Sequence, residues 1–478
     1  MAVSGPLASK HICDRRTSNS MSQTFLEYFR CPQRYVRLAA KDGLSEKSGF
    51  FAFGRGIVGY GRCAGQIPAD SPQEHLPDAW EDVDCSYGSV RLPFDLEEVV
   101  DNLRLERYAG ECQYGSSGSG LISRMYYGVR PLLPVAFRRH LQRAYLGDWK
   151  KIAFPNWPVD HSVDSIVRRS MQLLLRAQQL ESIPFIWFWP DGASCGIAMT
   201  HDVETTAGRD FCESLMNIND SFGIVASFQI VPEERYEVSQ AFLDCIRRRG
   251  FEVNVQDLNH DGRLYNDRSE FARRAAKINQ YGRQFGASGF RSAILYHRQE
   301  WYSDLDFSYD MSVPNSARLD PQRGGCCTIM PYFVGKMLEL PVTTTQDYSL
   351  FNYLRTFSID LWKQQIDLIR KQNGLISFIV HPDYIIGGRE THAYQELLAH
   401  LAGLRTRENV WVAAPGEIDR WWRQRSKMKL VSDGDGWRIE GAGSERARVA
   451  YASEKDGKLA FTMEPKGELS AAHRLVRR

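Results

Sequence analysis

The sequence predicts an α/β protein built on a distorted (β/α) barrel of seven or eight strands, with an N-terminal α+β region and a small C-terminal β appendage. Three observations lead there. From about residue 195, short apolar runs alternate with amphipathic stretches of helical spacing, the mark of successive βα units. Ionisable residues gather where those runs end, which in a barrel is the face whose loops build a site. The 478 residues, 43% apolar and 25% charged, suffice for two or three units with a sizeable core.

Before about residue 185 the pattern is mixed and one helix stands out. From Ser162, taken as its N-cap, Val163, Ile166, Val167, Leu173, Leu174 and Ala177 recur at helical spacing, with Pro184 beyond the end. The Gly/Ser stretch from Gly115 to Gly120 lacks the Lys-Ser/Thr of a phosphate cradle and reads as a loop. Arg138, Arg139, His140, Arg143, Lys150 and Lys151 form a basic cluster, read as a solvated helix face, with contact to a phosphate-bearing or lipid-linked substrate as the alternative.

Candidate barrel strands are Gly196 to His201, Ile224 to Val231, Phe251 to Gln256, Gly289 to Ala293, Phe307 to Met311, Leu338 to Val342, Leu375 to His381 and Val410 to Ala413. Helical stretches lie around Asp210 to Ser221, Glu234 to Arg249, Ser269 to Phe285, Ser358 to Gln372 and Ala393 to Leu404. After Arg425, four short strands with Gly-rich turns are expected, and Asp433 to Gly436 reads as a hairpin turn, since a calcium loop would need Glu at its twelfth position. The expected units are 1–185, 186–425 and 426–478.

Sixty Lys and Arg against 58 Asp and Glu leave +2, so composition offers no case for a nucleic-acid binder. No window approaches the ~18 to 20 apolar residues of a membrane span. Charges near the N-terminus are not followed by an apolar run, so no secretory signal is read and a cytoplasmic location is expected. Ten cysteines without a Cys-x-x-Cys pair indicate neither a zinc ribbon nor a disulfide lattice. Buried thiols are expected, including the adjacent pair Cys326 and Cys327.

The candidate chemistry lies at strand ends. Thr200-His-Asp-Val-Glu204 sets Asp202 and Glu204 two residues apart, so in extended chain both carboxylates point to one side, suited to binding a cation or to dividing acid and base roles. A capping acid beside a solvated one is the plainer alternative. The third strand ends in Asn254-Val-Gln-Asp-Leu-Asn-His260, the fourth delivers Arg291, and the seventh runs into His381-Pro-Asp383. A carboxylate pair, two histidines and an orienting guanidinium emerging from different strands at one mouth supply the parts of a hydrolytic site. Trp301, Tyr332, Tyr348 and Tyr384 fall near strand exits, where rings either pack or stack on sugars.

With these motifs, residues 186–425 resemble the polysaccharide deacetylase (NodB-homology) family, and within it carbohydrate esterase family four. Thr200 to Glu204 is similar to the first motif in its divergent Thr-His-Asp-Val-Asp form, Asn254 to His260 to the His-x-x-x-His motif, Gly289 to Ser292 to the arginine motif and Phe378 to Pro382 to the last histidine motif. The resemblance implies Asp202 as general base, Arg291 as the residue orienting it, His381 as general acid and Asp347 as the carboxylate tuning that acid. It also implies Glu204 and His260 as ligands of a divalent transition metal, zinc above all. The implied activity is metal-dependent hydrolysis of a linear C–N bond other than a peptide bond. It would remove an N-acetyl group from a sugar or polysaccharide precursor, lipid-linked or nucleotide-linked.

The chain departs from the family at Gln256, where the first histidine of His-x-x-x-His is usual. A neutral amide oxygen binds zinc more weakly than imidazole. Three readings stay open: a weakened site of Glu204, Gln256 and His260, a replacement ligand such as Asp257 or Asp261, or no metal. Two rivals accompany the deacetylase reading. One is a glycoside hydrolase using Asp202 and Glu204, disfavoured because both lie on one strand side about 7 Å apart. The other is a catalytically degenerate carbohydrate-binding or regulatory scaffold.

Overall fold

The computed structural model describes residues 22–110, 148–434 and 436–463. The Gly115–Gly120 stretch, Arg138, Arg139, His140 and Arg143 of the basic cluster, and Asp435 lie outside the described residues. Lys151 pairs with Asp148 at 2.8 Å on the surface.

The N-terminal region holds helices α1 (Gln23–Phe29), α2 (Leu96–Arg104) and α3 (Ser162–Ala177), and strands β1 (Leu38–Ala40), β2 (Gly49–Ala52), β3 (Val58–Gly61), β4 (Val90–Leu92) and β5 (Ser182–Ile186). β1 and β4 pair in parallel, and β2 and β3 form an antiparallel hairpin. The helix anticipated from Ser162 is present, but Ser162 is its first residue rather than its N-cap. His161 is the N-cap and makes no side-chain cap bond, while buried Asp160 accepts from the free N–H of Ser162 at 2.8 Å.

The barrel consists of β6 (Gly196–Val203), β7 (Ala226–Ile230), β8 (Glu252–Gln256), β9 (Gly289–Arg291), β10 (Tyr309–Asp310), β11 (Tyr332–Val334), β12 (Met337–Glu339), β13 (Leu375–Val380) and β14 (Trp411–Val412). Their order is β11-β12-β10-β9-β8-β7-β6-β13, with β14 beside the start of β6. All neighbours are parallel except the β11–β12 hairpin. Around them lie α4 (Thr206–Phe222), α5 (Gln240–Arg248), α6 (Arg268–Phe285), α7 (Asp360–Lys371), α8 (Gly388–Arg407) and α9 (Pro415–Lys427). Short β-to-α connections follow from local signals: Thr205 caps α4 by accepting from Gly208 N, and Gly223 ends that helix in the left-handed region at φ 63°.

The expected α/β barrel is therefore present, and hydroxyls rather than a backbone ladder join its two ends. Beyond β12, Thr343 Oγ1 donates to Leu375 O at 2.8 Å and accepts from Ser377 N at 2.9 Å, and Thr344 Oγ1 donates to Ser377 O at 2.7 Å. These bonds satisfy the free edge of β13 that a regular strand would otherwise occupy.

The C-terminal strands are β15 (Lys429–Asp433), β16 (Gly436–Glu440), β17 (Val449–Lys455) and β18 (Lys458–Met463). Asp433 pairs with Gly436 across a hairpin, as expected. β17 pairs with β18 on one edge and with β5 on the other, forming a three-stranded sheet from distant parts of the chain. Arg425 ties the same parts together. Only 1% exposed, it donates to Trp187 O at 2.9 Å, Ile186 O at 2.7 Å and Tyr28 O at 2.9 Å.

No helix among the described residues is long and apolar enough to cross a membrane. Among the described cysteines, Cys31, Cys63, Cys195, Cys212, Cys326 and Cys327 are buried free thiols, while Cys85 is exposed.

Candidate active site

Strand register gathers the site. Neighbouring residues in parallel pairing point the same way, and Gln256 of β8 lies opposite Arg291 of β9. On β6, Thr200 and Asp202 share one face with Glu204 just beyond, while His201 faces the other way. His201 pairs in register with Val380, so His381 follows on the Asp202 side.

Asp202, 3% exposed, is held on both oxygens. Arg291 Nη1 donates to its Oδ1 at 2.7 Å and to Thr200 Oγ1 at 2.8 Å, and Arg291 Nε is fixed by Met311 O at 3.0 Å. Gln256 Nε2 donates to Asp202 Oδ2 at 3.2 Å and to Glu204 Oε1 at 3.0 Å. Burial pushes the Asp202 carboxyl above its ordinary value despite Arg291.

Glu204 Oε1 is a hub for ring nitrogens as well. His260 Nε2 lies 2.7 Å from it and His381 Nε2 lies 3.5 Å away. The His260 contact is at ion-pair distance but misses hydrogen-bond alignment, and His260 Nδ1 has no partner among the described atoms. Burial alone would raise the Glu204 carboxyl, but His260 and His381 hold it well below its usual range. Its backbone is set by a segment expected to open the helical stretch from Glu234 but lying in a loop ahead of α5, which starts only at Gln240: Arg235 Nε donates to Glu204 O at 3.1 Å, and Tyr236 Oη to Val203 O at 2.7 Å.

His381 is gripped by Asp347, whose Oδ1 is 2.7 Å from Nδ1 and whose Oδ2 accepts from His381 N at 2.7 Å. Burial disfavours the imidazolium, yet Asp347 and Glu204 outweigh it and raise the histidine well above its ordinary value. Tyr384 packs against His381 with ring centres 4.8 Å apart, and Tyr348 packs on Tyr384 at 5.2 Å. Of the other aromatics singled out, Tyr332 is buried and bonded to Gln299, and Trp301 stacks on Tyr265. The Phe185–Trp189 run is core.

The structure thus brings Asp202, Glu204, Gln256, His260, Arg291, Asp347 and His381 together. It leaves out both replacement ligands: Asp261 is taken by Arg274 at 2.7 and 2.8 Å, and Asp257 caps Leu258 N at 2.7 Å. His201 belongs to the wall behind, its Nε2 2.9 Å from Asn219 Nδ2 and its Nδ1 3.3 Å from Val380 O. Burial lowers it to about 3, so it is neutral. A cavity of about 650 Å³ at the opposite ends of β8 and β9, lined by Glu252, Arg420 and Lys427 among others, contains none of these residues.

A zinc ion held by Glu204, Gln256 and His260 would need lone pairs from the Gln256 oxygen and a His260 nitrogen. Gln256 turns its NH2 to both carboxylates, and its Oε1 is buried without a donor. The opposite amide orientation would set three oxygens against one another unless a cation lay between them. Among the described residues no second group fixes the His260 ring, as one does for a ligating histidine. That set does not fit the metal as placed. Among the described residues, the acidic and histidine groups whose ligand atoms do lie within 4.8 Å of one another are Asp202, Glu204 and His381.

No family model and no curated protein matches the chain. Solved structures similar to about half of it include a polysaccharide deacetylase from Mycobacterium smegmatis, 20% identical, covering 50% of this chain and 93% of its own, with a TM-score of 0.40. The PuuE allantoinase is 15% identical over 49% of this chain and 92% of its own, with a TM-score of 0.38. The peptidoglycan deacetylase PdaC from Bacillus subtilis is 12% identical over 50% and 95%, with a TM-score of 0.32.

Proposed function

We propose that the protein is a hydrolase that removes an N-acetyl or similar acyl group from an amino sugar or a polysaccharide precursor. One observation carries this reading: a clamped carboxylate, Asp202 on Arg291, faces the His381–Asp347 pair across Glu204, with the ligand atoms of Asp202, Glu204 and His381 within 4.8 Å of one another. Those are the two proton-transfer groups that amide hydrolysis needs.

Asp202 takes a proton from water as its oxygen bonds to the acyl carbon. As the C–N bond breaks, His381 gives its Nε2 proton to the departing amine, and Asp347 steadies the ring through Nδ1. Arg291 holds Asp202 in line, and Tyr348 and Tyr384 offer ring faces beside His381 for a sugar. The zinc implied by the motifs lacks a fitting set in Glu204, Gln256 and His260, and no step here runs through it. Acetate release from an N-acetylated sugar, lost in Asp202→Asn, tests the proposal, and equal release by both proteins rejects it.

The Gln256 geometry favours a second reading, a carbohydrate-binding scaffold whose catalysis has lapsed. Such a protein would bind the sugar and release no acetate.

A further inference from the structure

Immediately after Arg291 the backbone enters an unusual turn. Ile294 and Leu295 have φ of 60° and 55°, in the left-handed region that a β-branched residue such as Ile avoids. Such a conformation persists only where its surroundings over-determine it. Part of those surroundings comes from the N-terminal region.

Leu295 O is 2.8 Å from His297 Nδ1, and His297 Nε2 is 2.5 Å from Glu106 Oε2. Each ring nitrogen therefore has an oxygen at hydrogen-bond distance, and the Gln322 amide, its Nε2 3.2 Å from His297 Nε2, donates to His297 O at 3.1 Å. Burial works against a charge on the ring, but Glu106 overrides it and raises the histidine. Glu106 and His297 are each 1% exposed at the side chain. The other Glu106 oxygen accepts from Gly325 N. Residues on either side of Glu106 grip the same loops: Arg104 O accepts from Gln299 Nε2 at 2.8 Å, and Tyr108 Oη donates to Gly325 O at 2.6 Å. The Leu295 side chain packs with Val342 and Ile379, and Ile379 lies two residues before His381.

We infer that Glu106 is a positioning residue of the site: acting through His297, it holds the Ile294–Leu295 turn and so fixes the end of β9 that presents Arg291 to Asp202. Residues 104–108 are then a working part of the barrel's mouth. Its bearing on catalysis rests on the proposed hydrolysis, while the hold on the Ile294–Leu295 turn is tested apart from it.

The test is hydrogen exchange by mass spectrometry on full-length protein, comparing wild type, Glu106→Gln, His297→Gln and the double variant. Peptides covering 289–299 should exchange about tenfold faster or more in each single variant, with the double no faster than either, while β2–β3 peptides hold their rates. Unchanged exchange in 289–299, or a uniform rise throughout the protein, overturns the inference. If Glu106→Gln does not fold, His297→Gln reads the same segment from the other partner. On acetate release, Glu106→Gln should lower kcat and leave KM in place, because Arg291 orients the base rather than the sugar. A wild type that releases no acetate counts against the proposed function alone, since the exchange comparison still decides the latch.

Discussion

Asp347 meets His381 at both carboxylate oxygens, one against the ring nitrogen Nδ1 and one against the backbone N–H, each at 2.7 Å. The backbone contact fixes the carboxylate and the ring contact fixes the imidazole against it, so Nε2 stays aimed at Glu204.

The first prediction follows from that grip. Since Asp347 and Glu204 raise His381, turnover that needs its proton should persist above the ordinary histidine range and fall only as pH passes the raised value. Asp347→Asn removes the leading raising partner, so the alkaline limb of kcat against pH should move to lower pH. A limb that stays put would remove His381 from the acid role.

Asp202→Asn keeps the shape and the Arg291 contact but abolishes the base. Acetate release should fall by about 10²-fold or more at each pH measured. Circular dichroism should show the fold intact, separating lost chemistry from lost structure.

Gln256→His replaces a donor amide by an imidazole beside Glu204 and His260, making a ligand set of the kind zinc favours. The variant, purified without chelator, should carry close to one equivalent of zinc by plasma mass spectrometry, with the wild type well below it. Equal zinc in both would show that the wild-type amide turns to make room for the ion.

His201 supplies a prediction on stability. Neutral in the fold with a value of about 3, it takes up a proton in the unfolded chain below about 6.5. The unfolded state then binds more protons, so this contribution is complete above 6.5 and is lost as pH falls toward 3. His201→Gln should flatten the dependence of Tm on pH in that window, and an unchanged slope would place the loss elsewhere.

The barrel was legible because its strands carry largely apolar runs, as Leu375–Val380 does with Ser377 its one polar residue, and because site residues follow such runs directly. Asp202, Arg291 and His381 were visible for that reason. The direction of the Gln256 amide was not, since it depends on two carboxylates brought near by another strand. Nor was Glu106, whose partner His297 is far along the chain and lies in no motif. N-terminal strands of three or four residues are too short to show a period. β5 and α9 passed unnoticed, with Trp421, Trp422 and Arg425 buried along the latter.

The pairing of β5 with β17 also dictates an order of synthesis. A ribosome releases Ser182–Ile186 and the Phe185–Trp189 rings long before it reaches Val449, with nearly the whole barrel translated between them. Until then one apolar strand edge has no neighbour and is open to other nascent chains. A message cut short ahead of β17 would therefore yield a sticky product, even with every catalytic residue already made.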